Sequence, residues 1–182
     1  IVAGRGYEQL EAQGRNGRCD RRAYAVAAAV WYPGCVRYRR TVRAAFDNGD
    51  RATCIPNGTL ICCTWNRELA RRLYMYEGME ARANDVDALL KPGINIHRLP
   101  LCGRNFEYVS EDPLLAGSIA AEICRGLKDG GITATVKHFA ANNKEQNRKK
   151  INRVMSERAL REIYLKGFEI CVKKAQPLTV MS

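Results

Sequence analysis

The stretch SEDPLLAGSIAAEICRGLKDGGITATVKH, residues 110–138, decides the fold. Asp112 is a natural N-cap, and Pro113 stands at the first helical position, where its missing N–H leaves no hydrogen bond unmade. The helix it opens is expected to run to about Lys128 and to stop at Gly130-Gly131. Ile132 to Val136 then reads as a β-rich strand leading into Lys137-His138-Phe139. A helix, a tight stop and a strand in this order make one half of a β-α-β unit.

The same rhythm repeats on both sides of this stretch. Asn66 is an expected N-cap for a helix in which Leu69, Leu73, Tyr76 and Met79 recur at three- and four-residue intervals on one face, fading by Asn84. Val86 to Leu90 reads as a short buried strand stopped by Pro92-Gly93, with a loop over Asn95 to Tyr108. After Ser156 a last helix places Leu160, Ile163, Gly167, Ile170 and Cys171 near one face and ends before Pro177. Leu178 to Met181 begins another strand. Strands alternating with helices imply an α/β protein with a parallel sheet. Such sheets collect functional groups at the C-terminal edge of their strands, where Lys137, His138 and the loop after Leu90 all fall.

Bulk properties bound the remaining possibilities. A chain of 182 residues supports one domain with a real core. No apolar run is long enough to span a membrane, and the N-terminus has no secretory leader pattern, so a cytoplasmic location is expected. The net charge of +11 invites a nucleic-acid-binding reading. Its basic residues are scattered, however, and a solvated surface is the simpler reading. The eight cysteines form no C-x2-C pair and the two histidines lie far apart, so neither a metal site nor a disulfide framework is expected. No cofactor is called for.

Residues 1–50 differ in character from the rest. They hold nine Arg and no Lys, whereas all nine Lys lie at position 91 or later. Tyr24 to Tyr32 reads as a short strand or helix, and Arg37 to Arg40 as surface or tail. An out-of-frame or misplaced start would also produce such a skew. The expected organisation is therefore an atypical Arg-rich segment over 1–50 and a folded portion over 51–182.

Four blocks within 51–182 carry a resemblance. They are Ala52-Thr53-Cys54-Ile55-Pro56 with Thr64-Trp65-Asn66; Gly93 to Tyr108, continuing through Val109-Ser110-Glu111-Asp112-Pro113; Lys137-His138-Phe139-Ala140-Ala141-Asn142-Asn143; and Ser156 to Val172. In this order they closely resemble the family 3 glycoside hydrolases of the β-glucosidase kind. The resemblance implies part of a (β/α)8 TIM-type barrel with parallel strands and outer helices. It implies a retaining glycosidase acting on β-glucosides or related small carbohydrates through two carboxyl groups.

Carried across, Arg104, Lys137 and His138 would line the subsite for the terminal sugar, and Glu107 would orient Arg104 from behind. A planar guanidinium, an ammonium and an imidazole suit sugar hydroxyls, which both donate and accept. Taken alone, Arg104 reads as a loop brace paired with Glu107 or Glu111, and His138 as a satisfied core histidine. Arg98 and Asn142 stand between site and scaffold, and Trp65 reads as packing.

The family's Ser-Asp-Trp nucleophile motif does not occur here, nor does the early Asp-Gly-Pro motif or the acid/base. The expectation is that the remaining polypeptide supplies the catalytic groups, and that residues 1–182 alone neither turn over substrate nor fold stably. Lys149-Lys150-Ile151-Asn152-Arg153 also departs from a pattern that commonly has an acidic residue near Asn152. The alternatives are a non-catalytic sugar-binding remnant and a basic nucleic-acid-binding module.

Overall fold

The computed structural model describes residues 53–182. The readings made for residues 1–50, including Tyr24 to Tyr32 and Arg37 to Arg40, fall outside them. The elements are α1 (Gly58–Cys63), α2 (Arg67–Ala83), β1 (Ala88–Leu89), a 3-10 turn (Asn105–Glu107), α3 (Pro113–Asp129), β2 (Thr133–Lys137), α4 (Glu157–Ala159), a π-helical turn (Leu160–Tyr164), α5 (Lys166–Ala175) and β3 (Thr179–Met181).

The caps follow the sequence closely. Asn66 Oδ1 accepts from Leu69 N at 2.9 Å, Asp112 Oδ1 from Leu115 N at 2.6 Å, and Ser156 Oγ from Ala159 N at 3.2 Å. Each satisfies an amide that the first helical turn leaves without a partner. Gly130 closes α3, and Gly131 takes φ +87°, a conformation that a side chain would strain.

The three strands are parallel and lie in the order β1-β2-β3. Helix α3 packs on α2 and on α5, so the two crossover connections lie on one side of the sheet. Sequential neighbours with helices on a single side describe an arc of a (β/α)8 barrel, whereas a doubly wound sheet reverses direction and uses both sides.

Packing between the helices is close because small residues line it. A Cβ on Gly126 would lie 2.3 Å from Arg71 O, and one on Gly117 would lie 2.9 Å from Ile170 Cβ. Ile119, Ile123 and Leu127 of α3 are at most 1% exposed, each contributing about 1.5–3 kcal/mol through burial. Glu122 links the layer: it accepts from Arg67 of α2 at 2.7 Å and from Arg125 at 2.8 Å, and Arg125 also donates to Lys174 O of α5. Cys124 and Cys171 meet across α3 and α5 with their Sγ atoms 3.5 Å apart.

Several expectations need correcting. On α2 the buried stripe is Ala70, Tyr74, Gly78 and Ala81, while Leu69, Tyr76 and Met79 are exposed. Close approach to α3 selects the face with small residues over the adjacent face with larger ones. In the last helix, Leu165 N bonds Leu160 O at 2.8 Å, forming the π turn. The extra residue buries Tyr164 and turns Ile163 outward. Trp65, expected to pack, is 75% exposed. β1 is shorter than Val86 to Leu90, but its pairing resumes past Pro92: Lys137 N donates to Pro92 O at 3.0 Å, and Ile94 N to Lys137 O at 2.7 Å. No helix among the described residues is long and apolar enough to cross a membrane.

Candidate sugar-binding site

Strand β2 sends Ala134 and Val136 into the core beneath the helices. By the two-residue alternation of a strand, Thr133, Thr135 and Lys137 face the other way. Thr135 Oγ1 meets Thr179 Oγ1 of β3 at 2.7 Å on that inner face. Lys137 therefore stands on the inner face at the strand's C-terminal end. The resumed pairing of Pro92 and Ile94 with Lys137 fixes the loop after β1 beside it.

Asn95, 2% exposed, clamps the next residue. Its amide Nδ2 donates to His138 O at 2.9 Å, and its Oδ1 accepts from His138 N at 2.9 Å. The same Oδ1 lies 3.2 Å from His138 Nδ1. An amide oxygen only accepts, so Nδ1 carries the ring proton and Nε2 is the acceptor. Nε2 then receives Arg104 Nη2 at 2.7 Å. Burial, followed by the charges of Arg104 and Lys137, pushes the His138 pKa down to about 3, so the ring is neutral at pH 7. The Lys137-His138 and Phe139-Ala140 peptides are cis.

Glu107 organises the cations. Arg104 Nε donates to its Oε1 in a very short contact, and Lys137 Nζ lies 2.8 Å from its Oε2. Burial alone would raise the Glu107 pKa, but the hydrogen bonds from Arg104 and Lys137 outweigh it and hold the group below the usual carboxylate range. Lys137 is lowered, chiefly by burial and against the pull of Glu107. The 3-10 turn over Asn105–Glu107 brings Arg104 and Glu107 together at i and i+3.

Tyr108 forms the floor. It is fully buried, its hydroxyl donates to Asn142 O at 3.1 Å, and it accepts from Asn142 Nδ2 at 3.2 Å. Asn142 Nδ2 also donates to Glu145 Oε1 at 2.7 Å, and Glu145 Oε1 lies 3.9 Å from Arg104 Nη1.

Of the residues singled out in the sequence, Arg104, Lys137, His138 and Glu107 form one connected group, which Asn142 borders through Tyr108 and Glu145. Arg98 is held elsewhere, its Nη1 donating to Tyr164 OH of the π turn at 2.8 Å. Sequence reading missed Asn95, Tyr108 and Glu145. A polar Asn95 between Ile94 and Ile96 at a strand end was the available signal, since a buried amide there needs partners. No group of three His, Cys, Asp or Glu among the described residues could hold a metal.

Comparison with known proteins identifies the family of the fold. The model of the glycosyl hydrolase family 3 N-terminal domain matches residues 43–182. A β-glucosidase of Ruminococcus albus is 58% identical over 136 residues, which are 75% of this chain and 14% of that protein. Among solved structures, a β-glucosidase of Paenibacillus barengoltzii aligns at TM-score 0.72 and 56% identity, covering 74% of this chain and 14% of its own. β-Glucosidase 3B of Thermotoga neapolitana in complex with α-D-glucose aligns at TM-score 0.67 and 53% identity, covering 69% of this chain and 18% of its own. The chain thus spans less than a fifth of the length of these relatives. With a family match over most of its length and three parallel strands in the order of a barrel arc, the chain belongs to glycosyl hydrolase family 3, as a portion of its N-terminal barrel domain.

Proposed function

We propose that the chain is part of a larger retaining β-glucosidase and that Arg104, Lys137 and His138 hold the terminal sugar of a β-glucoside. The observation that carries this reading is the single connected group of guanidinium, ammonium and neutral imidazole at the C-terminal end of β2. Arg104 and Lys137 supply donors to sugar hydroxyls. His138 supplies an acceptor at Nε2 when a hydroxyl takes the place of Arg104 Nη2. Glu107 holds the two cations in position.

Glu107 itself is a poor candidate for the general acid, which needs a raised pKa. Two cations keep it ionised, and its role in this proposal is to orient. The nucleophile and the acid/base are assigned to other parts of the enzyme. Donors fixed before the sugar arrives allow binding energy to be realised in the distorted transition state.

The proposal also takes 51–182 as the barrel portion and Asn142 as a flanking contact, and assigns Arg98 to bracing the π turn. It places the protein in the cytoplasm, a reading supported by the free thiols of the described cysteines. The test is hydrolysis of nitrophenyl β-glucoside by the full-length protein containing residues 1–182, with the product anomer read by NMR. Retained configuration and a fall in kcat/KM of about 10²- to 10³-fold in Arg104→Ala are expected, since charge-assisted hydrogen bonds are worth ~1.5–3 kcal/mol each. Turnover unaffected by that substitution would overturn the assignment of Arg104.

A further inference from the structure

The segment 144–153 borders the sugar cluster and contains five cations and one carboxylate. It is folded onto itself. Asn147, at φ 54°, accepts from Lys150 N at 2.8 Å and from Ile151 N at 3.1 Å. Arg153 Nη2 closes the base of the loop by donating to Asn142 Oδ1 and to Lys144 O, both at 3.2 Å. The one carboxylate, Glu145, is taken by Arg148 at 2.8 Å and by Asn142. Lys144 and Lys150 are exposed and line a depression of about 600 Å³ together with Gln146, Asn147, Ile151 and Asn152. Its lining begins at Lys144, two residues from Asn142, and the next loop residue, Glu145, lies 3.9 Å from Arg104 Nη1.

Taking the sugar-binding reading as its basis, we propose that this depression is a subsite for an oxyanion, so that the substrate is a glycoside bearing a carboxylate, sulfate or phosphate beyond the ring held by Arg104, Lys137 and His138. Two ammonium groups and three side-chain amides offer donors to such a group, while the acid that would repel it is neutralised locally. Because the loop is pinned to Asn142 by Arg153, the distance between the two subsites is fixed, and the loop selects among glycosides by charge. This also gives a role to the Lys149–Arg153 stretch, where the family pattern would place an acid.

The test compares binding of phenyl and 4-carboxyphenyl 1-thio-β-glucosides, which resist hydrolysis, to the full-length protein by calorimetry. The carboxylated ligand is expected to bind about five- to tenfold more tightly at low ionic strength, the preference shrinking as salt rises. The Lys144→Gln/Lys150→Gln variant, altered only at exposed side chains, should lose the preference while binding the neutral ligand unchanged. Lys149→Gln, which does not line the depression, should keep it. Equal affinities for the two ligands, or equal losses in all variants, would overturn the subsite in favour of a diffuse positive field. Failure of both ligands to bind would instead overturn the sugar reading, and the subsite with it.

Discussion

The outer helical layer and the inner strand edge of this protein are held together in opposite ways. Between α2, α3 and α5 the core contacts are close and mostly apolar, made possible by glycines that let backbones touch, with Glu122 as a polar link at their margin. At the end of β2 the contacts are polar, and almost every group in them serves two partners: Glu107 holds Arg104 and Lys137, Asn95 holds His138 at three atoms, and Tyr108 both donates to and accepts from Asn142. The first region tolerates no added volume. The second tolerates no lost partner, because a charge left alone in a half-buried site is costly. Shape therefore governs the scaffold and hydrogen-bond satisfaction governs the site.

The sharpest way to break this contrast is Gly126→Ala. Its Cβ would stand 2.3 Å from a backbone oxygen that has no rotamer to escape through. A loss of about 2–3 kcal/mol in denaturant unfolding is expected, with the affinity of the remaining folded protein for glucose unchanged. Unaltered stability would show that the helices are free to move apart.

Glu107→Gln should act on the site. It keeps the volume and removes the charge shared by Arg104 and Lys137. KM for a β-glucoside should rise about tenfold, as for one lost charge-assisted hydrogen bond, and the unfolding midpoint at neutral pH should fall as well, because two half-buried cations lose their shared carboxylate. A fall in kcat at constant KM would point instead to a proton-transfer role.

The pH response separates the regions further. His138 is depressed to about 3, so the unfolded chain takes up its proton near the ordinary value of 6.5 while the folded protein does not. Its contribution to stability is present above pH 6.5 and is lost as pH falls from there toward 3. Glu107, also depressed, adds a loss below about 4.5. Imidazole ¹⁵N NMR should show His138 as a neutral Nδ1–H ring at pH 5; a normal titration would contradict the clamp by Asn95 and Arg104.

The smallest effect is expected at Tyr76→Ser. This residue is 55% exposed, and the change should stay within about 0.5 kcal/mol. A larger loss would restore the face that periodicity alone selects.

Helix ends were legible because caps are local: Asn66, Asp112, Pro113, Gly130 and Ser156 act within a few residues of themselves. The buried faces of α2 and α5 were not, for two different reasons. In α2 the choice between neighbouring stripes depends on which face lets α3 approach, information that lies some fifty residues away. In the last helix a π turn shifts the register, and no local residue type announces it. The proposed site was legible as a set of names through the family blocks around Arg104, Lys137 and His138. Of its wiring, only the pairing of Arg104 with Glu107 was. Glu107 bridging two cations and Asn95 fixing a ring tautomer depend on a 3-10 turn and on pairing that resumes beyond Pro92.

The most direct test is a crystal structure of the full-length protein with glucose bound. Sugar hydroxyls are expected within hydrogen-bond distance of Arg104, Lys137 and His138, with Glu107 still between the two cations. Glucose bound elsewhere, with the Arg104–His138 contact undisturbed, would contradict the proposed site.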